Sequence, residues 1–284
     1  MEARPVIDGS MAIPIKSPAE IEALAAAGRV LDTIIEDVIL REVRPGRSTR
    51  DIAARTHELI IARKGDPVLL GYTQAGITTP FPASACVCVN EEVVHAVPSS
   101  RLIRAGDIVT VDVAMRYRGW CIDTAWSVPV RHDGTGAGSS ESQRAKNLQV
   151  VAARAIATTR TLARSGVRWS SIASAVQREV AEQQMHLIHG YCGHGVGKAL
   201  HESPRVSYTS RDWTLPGEDF TLWPGMVLCI EPIVCEGSKP AELLTLDDAW
   251  TIITADGRWT AHEEQCIAVT RDDTRVLAGS TQYE

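Results

Sequence analysis

The segment Gly106-Asp-Ile-Val-Thr-Val-Asp-Val-Ala-Met115 decides the fold, together with the returning segment Trp120-Cys-Ile-Asp-Thr-Ala-Trp-Ser-Val128. Both segments are rich in Val, Ile or Trp, which favour strands, and the polar residues Arg116-Tyr-Arg-Gly119 lie between them. Two such segments joined by a short turn that contains glycine predict an antiparallel β-hairpin.

Each strand of this hairpin carries one aspartate within its apolar run, Asp112 in the first and Asp123 in the second. If the hairpin is centred between Tyr117 and Arg118, the two aspartates lie directly opposite each other on one face of the sheet. Because like charges at opposed positions destabilise a hairpin, this register predicts a cation between the carboxylates. The alternative is a bulge or a register slip that turns one aspartate to solvent.

Three further polar residues interrupt apolar or glycine-rich stretches. His194 has glycines on both sides, Glu231 ends an apolar run that starts at Met226, and Glu264 begins another apolar run. By spacing alone, the neighbouring Glu263 fits the last position equally well. A buried carboxylate costs several kcal/mol unless a cation or hydrogen bonds compensate it. Four carboxylates and one imidazole match the charge of two divalent cations, and they predict a two-metal hydrolase.

Apolar residues recur at helical spacing in two pairs of segments, and strands follow each pair. The first helix begins at the capping box Ser17-Pro-Ala-Glu20. A weak repeat aligns Pro45–Ala53 with Ser165–Ala173, which indicates two related α+β halves. The predicted helices run from Ser17 to the break at Pro45, from Ser48 or Thr49 to Gly65, from about Ser140 to Arg164, and from Ser170 to about Gln184.

Composition limits the classes of function. The chain has 284 residues, of which 44% are hydrophobic and 23% charged, with a net charge of −6, as expected of a globular protein with a sizeable core. The sequence contains no basic run of the kind that binds nucleic acid. It also contains neither a long apolar run nor a leader-like N-terminus of the kind that indicates a membrane. The expected location is the cytoplasm. Seven cysteines without a Cys-x-x-Cys motif predict buried free thiols, and the glycine-rich residues 133–140 predict a linker.

Seven residues in their local motifs resemble the type I methionine aminopeptidases: His95, Asp112, Asp123, His194, His201, Glu231 and Glu264. The motifs include Val89-Asn-Glu-Glu-Val-Val-His-Ala-Val-Pro98, Gly190-Tyr-Cys-Gly-His-Gly-Val-Gly197, His201-Glu-Ser-Pro204 and Cys229-Ile-Glu-Pro232. The resemblance runs from about Ser17 to Thr270. It implies a pita-bread fold of the α/β (α+β) class, with two pseudo-symmetric helix-helix-strand halves around a shared antiparallel sheet. The implied domains are an N-terminal arm over 1–16 and one catalytic domain over 17–284, with halves at about 17–132 and 140–275.

The same resemblance implies a site and a reaction. Asp112 chelates one metal ion, His194 and Glu231 hold the other, and Asp123 and Glu264 bridge both. His95 and His201 lie beside the substrate, His201 on the scissile carbonyl, and Glu231 also carries a proton to the leaving amine. The implied cofactors are two divalent ions, Co²⁺, Mn²⁺, Fe²⁺ or Zn²⁺, which activate water to remove an N-terminal methionine before a small second residue.

The resemblance is weaker around the pocket for the methionine side chain. Phe81, Cys86 and Trp250 occupy positions that line this pocket. Thr78 stands where a second aromatic residue is usual, unless residues 74–79 are an insertion and Tyr72 serves instead. Leu200 replaces a usual phenylalanine, and His262-Glu263 replaces a usual glutamine–aromatic pair. Strict selectivity for methionine is therefore not implied.

Three other functions fit parts of the pattern. One is a carboxylate-rich structural ion site without catalysis, in which His95 and His201 would have no role. A metallopeptidase of the X-Pro class has related motifs, but an additional N-terminal domain is usual there. A non-catalytic pita-bread binding protein is expected to lack some of the five ligands, and all five are present. The expected partners are the N-termini of nascent polypeptides, at the ribosome, with no nucleic acid or membrane bound, and the chain is expected to be a monomer.

Overall fold

The structure is a computed structural model that describes residues 13–131, 140–213 and 219–279. The helices in these ranges are α1 (Pro18–Arg41), α2 (Thr49–Ala62), α3 (Ser140–Leu162) and α4 (Trp169–Glu182). All four predicted helices are confirmed, with α4 beginning one residue earlier than expected. Capping boxes start α1 and α2, where the side chains of Ser17 and Ser48 accept hydrogen bonds from the backbone of Glu20 and Asp51.

The strands are short except for two that form the central hairpin, and every strand pairing is antiparallel. They are β1 (Asp66–Pro67), β2 (Cys86–Val89), β3 (Glu92–Val94), β4 (Ile108–Tyr117), β5 (Trp120–Pro129), β6 (Met185–Leu187), β7 (Gly193–Gly195), β8 (Glu202–Val206), β9 (Val227–Ile230), β10 (Ile233–Glu236), β11 (Leu243–Thr245), β12 (Ile252–Thr254), β13 (Thr260–His262), β14 (Gln265–Val269) and β15 (Thr274–Ala278). A short 3₁₀ helix covers Ser210–Asp212.

Two sets of strands carry the site. In the first half, β4 lies between β2 and β5, with β1 also paired to β4. In the second half, five strands follow the order β15-β14-β9-β7-β8. Two three-stranded sets, β13-β10-β6 and β11-β12-β3, flank them.

The predicted hairpin is present, but its predicted register is wrong. Tyr117 pairs with Trp120, so the turn consists of only Arg118 and Gly119, whose φ angles are 49° and 81°. Two residues at positive φ make the tight turn that matches the twist of a hairpin, and glycine adopts this conformation readily. The strands consequently extend further than a four-residue turn would allow.

The true register changes the relation between the two aspartates. Asp112 lies opposite Ala125, and Asp123 lies opposite Ala114. The aspartates are therefore diagonal neighbours rather than opposed partners. The pairing differs from the predicted one by two residues, which keeps both side chains on the same face of the sheet, and the predicted closeness of the carboxylates does not depend on the error.

The two halves repeat the same local design. Helices α2 and α4 are both 14 residues long, and each is preceded by a glycine at positive φ, Gly46 and Gly166. The amide of Gly46 donates to the carbonyl of Ile103, and the amide of Gly166 donates to that of Leu222. These matching contacts support the predicted pseudo-symmetry of the pita-bread fold.

Each half has its own hydrophobic core. The first lies between α1, α2 and the hairpin and includes the fully buried Leu31 and Val111. The second lies between α3, α4 and the five-stranded set and includes Trp169 and Leu228. Burial of a large apolar side chain stabilises a fold by roughly 1.5–3 kcal/mol, so both cores hold their sheets rigidly in place.

Two hydrogen bonds at Glu264 join the two sheets that carry the site. The amide of Glu264, just before β14, donates to the carbonyl of Ala125 in β5 at 2.9 Å, and the hydroxyl of Thr124 donates to the carbonyl of Glu264 at 2.8 Å. This bridge brings Glu264 beside the hairpin that carries the two aspartates.

The predicted linker at residues 133–140 lies outside the described residues except for Ser140, and so does most of the predicted arm over 1–16. The division into domains stays a prediction. Among the described residues, none of the helices combines the length and apolar character that crossing a bilayer requires. All seven cysteines lie in the described ranges as free thiols, and six of them are buried as predicted, whereas Cys192 is partly exposed.

Candidate metal centre

Five strands or strand ends bring the predicted ligands to one cavity. Asp112 projects from β4 and Asp123 from β5, while His194 lies in β7, Glu231 directly follows β9, and Glu264 directly precedes β14. All five line the same cavity of about 420 Å³. The sequence placed these residues in separate motifs, and the structure brings them together.

A close approach of two strands positions the imidazole of His194. A Cβ atom at Gly193 would lie 2.1 Å from the carbonyl oxygen of Cys229 in β9, so only glycine permits this approach. The ring Nδ1 of His194 lies 3.0 Å from the carbonyl oxygen of Gly195. A carbonyl only accepts, so Nδ1 carries the proton and Nε2 is left with a lone pair for a metal ion.

That Nε2 atom faces carboxylate oxygens. It lies 3.6 Å from Oε1 of Glu231 and 3.9 Å from Oδ2 of Asp123. On the other side, Asp112, Asp123 and Glu264 each offer an oxygen atom within 4.8 Å of the others. The arrangement has two ends, with the imidazole at one and Asp112 at the other, and Asp123 takes part in both.

The carboxylates strongly perturb one another. Burial, with Asp123 as the next cause, raises the pKa of Asp112 to about 8, and burial with Glu231 raises the pKa of Asp123 to about 7. The pKa of Glu264 is raised well above its usual range by burial and then by Asp123. Without a cation, these groups are therefore held partly protonated near neutral pH.

Glu231 differs from the other three carboxylates. Burial raises its pKa, but the imidazoles of His262 and His194 outweigh burial, and the pKa lies below its ordinary value. Glu231 is accordingly ionised where its neighbours retain protons.

Two buried carboxylate oxygen atoms without hydrogen-bond partners bear on whether metal ions fit this site. Oδ1 of Asp123 and Oε1 of Glu264 are buried and have no hydrogen-bond partner among the residues that the structure describes. These two residues are the predicted bridging ligands. Buried anionic oxygens without donors are costly, and divalent cations bound by oxygen atoms and one imidazole would satisfy them. The residues therefore fit the implied metal ions.

A thiol also lies close to the cluster. Cys229 offers its Sγ atom within 4.8 Å of donor atoms of His194 and Glu264. Burial raises the pKa of this thiol well above its usual range, and the Sγ atom of Cys266 lies 2.9 Å away. A protonated thiol is a poor ligand, so the carboxylates and the imidazole remain the favoured donors.

The raised pKa values predict how the metal-free protein responds to pH. A carboxyl group with a raised pKa binds its proton more tightly in the folded chain, so its stabilising effect is lost as pH rises through that pKa. The pKa values of His95 and His201 are lowered to about 4, so their opposite effect is complete by about pH 6.5. We expect the melting temperature of the metal-free protein to fall between about pH 6.5 and 8.

Thermal unfolding followed by circular dichroism, with a chelator present, measures this fall. Asp112→Asn removes one of the titrating groups and should make the fall smaller, and saturating Mn²⁺ should abolish it. A melting temperature that rises over this interval in the metal-free protein would contradict the raised pKa values.

The two predicted substrate-side histidines flank the cluster. The ring of His201 lies 4.3 Å from that of His194, centroid to centroid, and its Nδ1 lies 2.8 Å from the hydroxyl of Tyr72. His95 adopts a positive φ of 56° and lies edge-on to Tyr191. Burial is the main cause of the low pKa of both histidines, which are therefore neutral near pH 7.

The three predicted pocket residues form one apolar cluster. Phe81, Cys86 and Trp250 are each 3% exposed and pack together, with Tyr72 against them. The rings of Phe81 and Trp250 meet edge to face at 5.5 Å. This cluster opens into the same cavity as the carboxylates.

Burial and the cavity lining distinguish Thr78, Tyr72 and Leu200, the pocket positions at which the resemblance is weak. Thr78 is exposed and does not line the cavity, whereas Tyr72 does, as expected if residues 74–79 are an insertion. Leu200 is 7% exposed and packs in the first core instead of lining the cavity.

Several further residues that line the cavity had no role in the sequence analysis, among them Tyr191, Arg205 and His262. His262 was noted only as a departure from the usual glutamine. Its place at the end of an apolar segment that leads to Glu264 was the available signal. The roles of all these site residues stay predictions.

Comparisons with known proteins agree with this geometry. Residues 22–271 match the model of metallopeptidase family M24. The chain is 34% identical to a methionine aminopeptidase of Treponema pallidum, covering 96% of this chain and 98% of that protein. It is also 34% identical to methionine aminopeptidase 1 of Bacillus subtilis, covering 92% and 97%.

Solved structures show the same relation. The methionine aminopeptidase of Thermotoga maritima superposes with a TM-score of 0.80 at 31% identity, covering 93% of this chain and 98% of that one. An Xaa-Pro dipeptidase of Bacillus anthracis gives 0.68 at 21% identity, and the match covers 94% of this chain but only 62% of that one. The second likeness shows the fold alone.

Proposed function

This chain belongs to metallopeptidase family M24, and from that membership we propose that it is a methionine aminopeptidase, which removes the N-terminal methionine of peptides and nascent proteins when the second residue is small. One observation carries the proposal: an apolar cluster formed by Phe81, Cys86 and Trp250 lines the same cavity as the carboxylate cluster. A methionine side chain packed against these apolar residues would bring its own carbonyl carbon beside the carboxylate cluster.

We propose that the chain binds two divalent ions. Asp112 would hold one, His194 and Glu231 the other, and Asp123 and Glu264 would lie between them. The oxygen-rich donor set favours Mn²⁺, Fe²⁺ or Co²⁺, with Zn²⁺ as a further candidate. When bound, such ions lower the pKa of water towards neutrality and polarise a carbonyl group.

His201 would stabilise the developing charge on the carbonyl oxygen of the substrate. Burial raises the pKa of Tyr72, so its phenol stays protonated and can donate to Nδ1 of His201. In that tautomer Nε2 carries the proton and is the donor that an oxyanion requires. Because the pKa of His201 is about 4, this role does not depend on protonation of the ring near pH 7.

Glu231 would take a proton and pass it to the leaving amine. Its lowered pKa keeps it ionised near neutral pH, which a general base requires. His95 would contact the substrate from the opposite side of the cavity. The free α-amino group of the substrate would lie at the Asp112 end, which accounts for removal of one terminal residue at a time.

The proposal includes partners and a location. The substrates would be nascent chains as they emerge at the ribosome, and the protein would then work in the cytoplasm. The single chain contains every residue named above, so a monomer would suffice.

Turnover of Met-Ala-Ser, set against Met-Glu-Ser and X-Pro peptides, tests the function. We expect hydrolysis of Met-Ala-Ser that depends on added Mn²⁺ or Co²⁺, is abolished by a chelator, and is much slower for Met-Glu-Ser. Preferential cleavage of X-Pro peptides would replace the proposal with the X-Pro class. Absence of cleavage under saturating metal would indicate a binding protein.

A further inference from the structure

His262 lies inside the metal cavity although no role has been assigned to it. It is the last residue of β13, is 2% exposed, and lines the same cavity as the proposed ligands. Its Nε2 atom lies 3.5 Å from Oε2 of Glu231. The other oxygen of that carboxylate, Oε1, lies 3.6 Å from Nε2 of His194. The carboxylate of Glu231 is thus placed between two imidazoles, one beside each oxygen atom.

The backbone of His262 is held firmly. Its amide donates to the hydroxyl of Ser127 at 2.9 Å, and that hydroxyl lies 2.9 Å from the His262 carbonyl. His262 also pairs with Ile233, the second residue after Glu231. The pairing of β10 with β13 therefore places His262 beside the segment that joins β9 to β10, which carries Glu231.

The ring of His262 has no other partner. Neither Nδ1 nor Nε2 has a hydrogen-bond partner among the described residues, although both atoms are buried. A buried polar atom without a partner costs about 1–3 kcal/mol, and such atoms in folded proteins usually have a functional explanation. Glu231 is the acceptor that Nε2 faces most closely, and only a few tenths of an ångström separate this contact from a hydrogen bond of ordinary length.

A donor on Oε2 has a specific consequence for a metal ligand. A carboxylate can rotate and can offer one or both oxygens to an ion, and a hydrogen bond to one oxygen leaves the other for the metal. Groups that orient ligands in this way typically change metal affinity about 10–100-fold when they are removed. The two contacts of Glu231 divide its oxygens in this manner.

We propose that His262 is a positioning residue for the metal ion beside His194: its Nε2–H donates to Oε2 of Glu231 and directs Oε1 towards that ion. This inference rests on the proposed two-ion site. It assigns to His262 the task of fixing one ligand, and it makes the affinity of the His194 end depend on a residue that does not touch the metal.

A matched pair of amides tests the proposal. In His262→Gln the side-chain NH₂ reaches about as far as Nε2 of histidine, whereas in His262→Asn it reaches only as far as Nδ1. Both variants are polar and of similar volume. Calorimetric titration of the metal-free proteins with Mn²⁺ measures both binding steps, and the visible spectrum of the Co²⁺ form reports ligand geometry. His57→Gln, which changes a partly buried histidine on α2 outside the cavity lining, is the remote control.

We expect His262→Asn to weaken one of the two binding steps about 10–100-fold and to alter the Co²⁺ spectrum. We expect His262→Gln to restore affinity to within about threefold of wild type, and His57→Gln to leave both steps unchanged. Wild-type affinities in His262→Asn would overturn the proposal. Equal losses in both amide variants would overturn it as well, because they would identify the imidazole itself as a metal ligand.

These measurements use metal binding and not peptide cleavage. If the protein binds two ions but does not cleave methionyl peptides, the proposed function fails while the role of His262 is still decided by the amide pair. Melting temperatures of the metal-free variants show whether either substitution disturbs the fold, and the Gln variant serves as the informative one if the Asn variant does not fold.

Discussion

Glu264→Gln is expected to eliminate one of two bound metal ions and to lower kcat/KM to less than about one hundredth of the wild-type value, which is the loss that removal of a single charge-stabilising group produces. Glu264 is 2% exposed, and its oxygen lies within the cluster formed with Asp112 and Asp123. The substitution keeps the shape of the side chain but removes the charge that two cations require. Metal analysis together with peptide turnover measures both effects.

The neighbouring Glu263 supplies the matched control. It is also fully buried, and it neither lines the cavity nor belongs to the cluster. Glu263→Gln should retain both metal ions and most of the activity, whatever its effect on stability. Loss of metal from Glu263→Gln with retention in Glu264→Gln would reverse the assignment.

His201→Ala is expected to lower kcat about 10²–10³-fold, as loss of one donor to an oxyanion does, while the metal content stays at the wild-type level. His201 contacts the cluster through the ring of His194 and is not among the grouped donor atoms. Its removal therefore leaves the proposed ligands in place. Steady-state kinetics with metal analysis on the same samples provides the measurement, and an unchanged kcat would remove His201 from the mechanism.

Tyr72→Phe tests whether Tyr72 acts only by orienting His201, the proposed donor to the oxyanion. The hydroxyl of Tyr72 is the partner of Nδ1 in His201, and its ring packs against the pocket. The phenylalanine keeps the packing and removes only the hydrogen bond, so kcat should fall by less than in His201→Ala, with KM little changed. A loss as large as that of His201→Ala would mean that the phenol itself acts on the substrate.

The elements were predictable where local chemistry is strong. The capping box at Ser17 predicts the start of α1 from four residues, and the structure confirms it. The predicted start of α2 at Ser48 or Thr49 is confirmed as well, and a capping box at Ser48 accounts for it. The hairpin register was predicted wrongly, because Arg118 shares the turn with Gly119 at positive φ and a non-glycine residue gives little signal for that conformation. The two aspartates still share one face of the sheet because the register error is two residues, and an even shift does not move a side chain to the other face.

The sequence named the residues that meet in the cavity, although their roles stay predictions, and it did not give the contacts between them. The choice between Glu263 and Glu264 depends on the bridge from Glu264 to Ala125, a contact between residues far apart in the chain that no local pattern encodes. The contact of His262 with Glu231 depends on pairing between β10 and β13 in the same way. Tyr72 was offered as an alternative, and the packing around Trp250 places it at the cavity.

The bridge between Ala125 and Glu264 joins an early part of the chain to a late one, which bears on when the proposed metal ions could bind. Among the proposed ligands, Asp112 and Asp123 are synthesised well before Glu264, and the proposed set is complete only when Glu264 has been added to the chain. Binding of both proposed ions would therefore follow synthesis of Glu264. At a free concentration of about 100 times their Kd, ions that bind only the folded form add roughly 2.7 kcal/mol to its stability. The bound ions would link the early and late parts of the chain. When metal is scarce, newly made molecules without metal should therefore be degraded more readily than older molecules that have bound it.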